Sequence, residues 1–133
     1  MGYRSKVAAM FYTEDKEQWP MLKLFVEENF PVNEFKGSIK EIDQTWLWGY
    51  EFREIDTKWE TMFSAFDAFV YKFEDLADVR DAENNYARNW AYEFIRIGED
   101  DDDVERACSQ QSYGLLDMSR KIMIAYTNPS PQA

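Results

Sequence analysis

The hydrophobic period changes abruptly near residue 60, and that change does most to limit the folds open to this chain. Upstream, Trp46, Trp48, Tyr50 and Phe52 alternate with Leu47, Gly49, Glu51 and Arg53, which places the two sets on opposite faces of a strand. From Thr61 onward, Phe66, Phe69, Val70, Phe73 and Ala77 recur at i, i+3, i+4, i+7 and i+11, the apolar stripe of a helix. A strand that runs directly into a long helix, each carrying large rings, predicts a sheet with that helix laid across it.

The remaining elements follow from the same patterns. Residues 4–12 read as a first strand, and Pro20 fits the first turn of a helix that runs to about Asn29 and stops at Phe30-Pro31. Leu22, Phe25 and Val26 share one face of that helix, with Glu27 and Glu28 outward. Residues 38–43 and 45–59 read as paired strands joined near Asp43-Gln44, and the long helix is expected to fray near Asn84-Asn85. Trp90 to Ile97 suits another strand, broken by Gly98. A short helix around Val104–Cys108, capped by Asp101 or Asp102, and a last strand over 116–126 complete the expected order. The result is an α+β fold, β-α-β-β-α-β with a trailing helix and strand: an antiparallel sheet of four to five strands with helices packed on one face. One domain over residues 1–127 and a flexible tail over 128–133 are expected.

Composition narrows the chemistry. The chain has 133 residues, enough for one domain that buries roughly two-thirds of its unfolded surface. It contains no histidine, which removes the commonest general base and a leading transition-metal ligand. Its single cysteine, Cys108, cannot form an intrachain disulfide, which suits a reducing cytoplasm. No apolar run approaches the length of a membrane span and no secretory leader is evident, so neither a membrane nor export is expected. Five Trp, eight Tyr and ten Phe exceed what most cores of this size use, which leaves some rings for contact surface.

The net charge of −11 is unevenly spread. Residues 1–40 balance, with six acids and six bases, while residues 74–103 hold eleven acids against Arg80, Arg88 and Arg96. Residues 41–60 hold six acids against Arg53 and Lys58. Direct nucleic-acid binding is therefore not expected, since phosphate affinity needs clustered Lys and Arg. A basic partner is the natural complement. Asp67, Glu74, Asp75, Asp78 and Asp81 cluster on one flank of the predicted long helix. Carboxylates at such spacings, and on alternate strand residues such as Glu54 and Asp56, resemble a track of phosphates. The run Glu99, Asp100, Asp101, Asp102 and Asp103, followed by Glu105, lacks the glycine and distal glutamate of a calcium loop and is expected to be a solvated acidic loop. Neither a nucleophile–base pair nor a phosphate-cradling glycine loop is present, so no enzyme activity and no cofactor or metal is expected.

Three stretches carry a resemblance. The opening Met1-Gly2-Tyr3-Arg4-Ser5-Lys6-Val7 resembles a family of small phage and prophage accessory proteins that begin with nearly the same residues. Lys58-Trp59-Glu60 is similar to that family's Lys-Trp-Tyr element, with Glu60 in place of the tyrosine. Phe94-Ile95-Arg96-Ile97-Gly98-Glu99, followed by Asp102-Asp103-Val104-Glu105, is similar to its Arg-x-Gly-Glu-x-x-x-Asp element. The resemblance implies a phage-encoded protein in a bacterial cytoplasm that inhibits a host nucleic-acid-directed defence, such as a CRISPR effector. The expected contacts are Glu74, Asp75, Asp78, Asp81, Glu99, Asp100, Asp101, Asp102 and Asp103, with Trp46, Trp48 and Tyr50 as aromatic anchors. The alternative expectation is a phage interaction or structural module that uses the aromatic strand face, self-association included.

Overall fold

A computed structural model describes residues 3–35, 39–43, 46–100, 102–109, 112–118 and 122–124. Strand β1 (Ser5–Thr13) is followed by helices α1 (Trp19–Asn29) and α2 (Val32–Phe35), then strands β2 (Ile39–Asp43) and β3 (Trp48–Thr57). Helix α3 (Trp59–Ala77) leads to β4 (Trp90–Gly98), β5 (Val104–Cys108), β6 (Leu116–Met118) and β7 (Ile122–Ile124). Five strands form one antiparallel sheet in the order β2-β3-β1-β4-β5, and β6 pairs with β7 in a separate ladder. The α+β class and the expected β-α-β-β-α-β order are as the sequence predicted.

Strand β1 sits at the centre of the sheet, which explains its unbroken apolar run Val-Ala-Ala-Met-Phe-Tyr: both of its faces are covered. Val7, Ala9 and Phe11 point toward the helices, where Phe11 meets Phe69 at 4.8 Å and Phe73 at 5.5 Å between ring centroids. From α3, Phe66, Phe69, Val70, Phe73 and Ala77 close this core, as the stripe required. Leu22 and Val26 of α1 join them. Helix α1 carries its proline at the start and ends at Phe30, whose extended backbone (ψ 131°) is what Pro31 imposes on the residue before it. Gly49 is required by close packing, because a Cβ there would collide with the Phe11 carbonyl and the Tyr12 backbone.

Ala8, Met10 and Tyr12 face the other way, under Ile95, Leu115 and Leu116. That side is held by a buried polar network. Tyr12 donates its hydroxyl to Glu93, which is only 2% exposed, and accepts from the Tyr113 backbone N–H at 2.8 Å. Glu93 also accepts from the Leu116 N–H at 3.0 Å. Burial and the adjacent Glu93 carboxylate push the Tyr12 phenol far above its usual range, so it remains a donor.

Three expectations are corrected. Residues 104–108 are strand β5, not a short helix. Five residues make a marginal helix, whereas the open edge of β4 offers a full ladder of backbone partners. The expected last strand over 116–126 is divided between β6 and β7. Helix α3 stops at Ala77, well before Asn84-Asn85. Beyond it Asp81 accepts from the Glu83 and Asn85 N–H groups, a turn that outcompetes helix continuation, and Asn84 takes a left-handed φ of 65°. The expected connection at Gln44 and the tail at 128–133 lie outside the described residues.

Candidate functional site

The acids expected to make contacts fall into two groups with different surroundings. The first lies along α3. At about 100° per residue, Glu60, Asp67, Glu74 and Asp78 fall within about 40° of one another, and Tyr71 shares their row. Eighteen residues at about 1.5 Å each give the row a length of about 27 Å. Lys72, the one base of α3, lies about 120° from Glu60 around the axis. Among the described residues none of these four acids, nor Asp75, is ion-paired with a base.

Burial and mutual repulsion act together on this row. The Glu74 carboxyl is raised above its usual range, first by burial and then by Asp78, Asp67 and Asp75. Tyr92, on the neighbouring β4, is pushed up to about 12 by burial, and Glu74, Cys108, Asp67 and Asp78 add to the rise. Glu74 and Asp75 also occupy the last turn of α3, which holds no base, and Asp78 follows as its C-cap. Negative charge at a helix C-terminus opposes the macrodipole, so this placement costs the fold stability. The Glu74–Asp78 step is about 6 Å along the helix axis, close to phosphate spacing, whereas the Asp67–Glu74 step is about 10 Å.

In the second group, the acidic run after β4, Asp103 and Glu99 are tied into the fold. Asp103 accepts two bonds from Arg96, at 2.5 and 3.1 Å, and one from the Tyr3 hydroxyl at 2.6 Å. Those donors hold the Asp103 carboxyl below its usual range, Arg96 first and Tyr3 second. Glu99 accepts from the Arg4 N–H, and the Asp100 N–H donates to the Tyr3 hydroxyl. Gly98 closes this hairpin, since a Cβ there would meet the Asp103 carboxylate and the Tyr3 hydroxyl. Asp100 and Asp102 are exposed, and Asp101 lies outside the described residues. Among the described residues no three potential ligands gather to hold a metal ion.

Other expected contacts are placed differently. Asp81 leaves the helical row because α3 has already ended, and its carboxylate serves the turn. Asp56 takes a left-handed φ of 55° where the β1–β3 register shifts, and its carbonyl accepts from Arg4 at 2.9 Å. Glu54 and Asp56 therefore do not form an even strand track. Tyr50 is a core residue, with its hydroxyl donated to Glu27 at 3.0 Å, so it is not an anchor. Trp48 is half-buried, and so is Trp46, which packs against Tyr113. Cys108 is exposed on the edge strand β5. Neither Glu60 nor Asp67 was among the expected contacts, although Asp67 was read on the acidic flank of the helix and the seven-residue spacings Glu60–Asp67 and Asp67–Glu74 are the signal that marks both.

No helix among the described residues is long and apolar enough to cross a membrane. Compared with protein-family models, with curated proteins and with solved structures, the chain matches none.

Proposed function

We propose that this protein acts by stoichiometric binding, as an acidic decoy that occupies the cationic nucleic-acid groove of a host defence protein such as a CRISPR effector. The observation that carries the reading is the row of Glu60, Asp67, Glu74 and Asp78 on α3, a stiff line of carboxylates free of any ion-paired base among the described residues. A helix holds such charges at fixed spacing, whereas a mobile acidic loop would lose entropy on docking. The unfavourable position of Glu74, Asp75 and Asp78 at the helix C-terminus also fits a surface kept for binding and not for stability. The phage setting comes from the resemblance of the opening and of the two internal elements.

Plaque formation tests the reading directly. Phage challenged with a CRISPR-defended host should plaque when the protein is expressed and should fail when it carries D67K/E74K/D78K. Binding to the purified effector should weaken as salt is raised. Wild-type protein that protects phage against neither CRISPR nor restriction would overturn it.

A further inference from the structure

A cleft of about 540 Å³ opens where α3 begins, and the three stretches singled out in the sequence all meet in it. Tyr3 and Ser5 come from the opening, Trp59 and Glu60 from the second, and Arg96, Asp103 and Glu105 from the third. The cleft is the N-terminal continuation of the α3 row, since Glu60 belongs to both.

Its chemistry selects the charge of an occupant. A guanidinium has five N–H donors, and Arg96 makes four hydrogen bonds with it inside the protein. Nε donates to Glu105, Nη1 to Ser5 and Asp103, and Nη2 to Asp103, and Nη2 is also ion-paired with Glu105. Each of its three guanidinium nitrogens is already engaged by a carboxylate of the protein, which makes Arg96 a poor receptor for an anion. The three lining carboxylates, Glu60, Asp103 and Glu105, exceed that one cation by two charges. Around them stand Tyr3, Trp59 and Phe63, and Phe63 is 46% exposed despite its size. Aromatic faces beside excess carboxylate attract cations that are weakly hydrated and flat, which describes guanidinium better than a metal ion. Trp59 adds a second cue. It is 7% exposed and its indole N–H has no acceptor among the described residues.

We propose that this cleft takes an arginine side chain from a protein partner. The proposal rests on the reading of the protein as a binder of basic surfaces and assigns the place where one basic residue docks. The test uses the full chain and a synthetic arginine nonapeptide, with spermidine as a small-cation control. Two variants are compared, E60Q/E105Q at the cleft and D67N/E74Q/D78N on α3, both checked for an unchanged urea midpoint. E60Q/E105Q should weaken peptide binding at least tenfold, and the peptide should shift the Trp59 indole resonance of the wild-type protein. The indole shift keeps the test decisive if E60Q/E105Q folds poorly. Binding lost only in D67N/E74Q/D78N, with no indole shift, overturns the cleft assignment and leaves the basic-surface reading standing. Spermidine that shifts the indole as strongly as the peptide overturns the assignment to a protein side chain. No binding to the wild type at all overturns both.

Discussion

The two acidic regions of this molecule carry similar charge and use it in opposite ways. The run that follows β4 is densest in sequence, yet two of its acids bond inward, Asp103 to Arg96 and Tyr3 and Glu99 to the Arg4 backbone, while Asp100 and Asp102 stay exposed. Glu60, Asp67, Glu74 and Asp78 are spread over nineteen residues, and folding brings them into one line with no ion-paired base among the described residues. Contiguous acids splay and find separate local partners, while periodic acids converge on one face. Density in sequence is therefore a poor guide to density of free charge on the surface.

The largest expected effect breaks the inward-bonded region. Arg96→Met leaves Asp103 and Glu105 without their shared partner and should cost about 2–4 kcal/mol, short of the loss for a fully buried pair because both carboxylates keep some water. Urea unfolding with and without the substitution measures it. D67N/E74Q/D78N on α3 should leave the urea midpoint unchanged or raised. If the two substitutions proved equally damaging, the contrast between structural and free acids would fail.

What could be read from the sequence divides along the same line. The β1 run, Pro20 at the start of α1, and the Phe66–Ala77 stripe are local signals, and each element formed where the pattern placed it. The β5 strand was misread because its reason for existing is the exposed edge of β4, which no local window contains. Asp103 looked like a solvated loop acid because its first partner, Arg96, reaches it only through the β4–β5 pairing, and its second, Tyr3, lies 100 residues away. Asp81 was assigned to a helix whose end depends on Asx-turn bonds to Glu83 and Asn85, a competition that composition alone leaves undecided. Tyr50 was taken for an anchor because alternation tells which residues share a face, not which face is covered.

A smaller effect sharpens the comparison from the α3 side. Asp78 follows the last turn of α3, where negative charge opposes the helix dipole and adds to the field raising Glu74. Asp78→Lys should therefore stabilise the protein by about 0.3–1 kcal/mol while weakening capture of a basic partner. A thermal melt paired with a binding titration reads both. Stability and binding that fell together would mean that Asp78 is a structural acid like Asp103.

The smallest effect is in the pH dependence, where the two regions carry opposite signs. Glu74 is raised in the folded protein, so ionising it costs stability, and that cost disappears as pH falls through its folded value toward the unfolded value of about 4.3. Asp103 is lowered in the folded protein, so its contribution is complete above the unfolded value of about 3.9 and is lost as pH falls below that. Acidification from neutrality should first relieve the α3 row and only then loosen the hairpin. Urea midpoints between pH 3 and pH 7 should show E74Q removing the early gain and D103N removing the late loss. One variant that flattened both limbs would mean that the two regions titrate as a single coupled cluster, and the division between tied and free acids would have to be redrawn around Glu60, the residue that joins the row to the cleft.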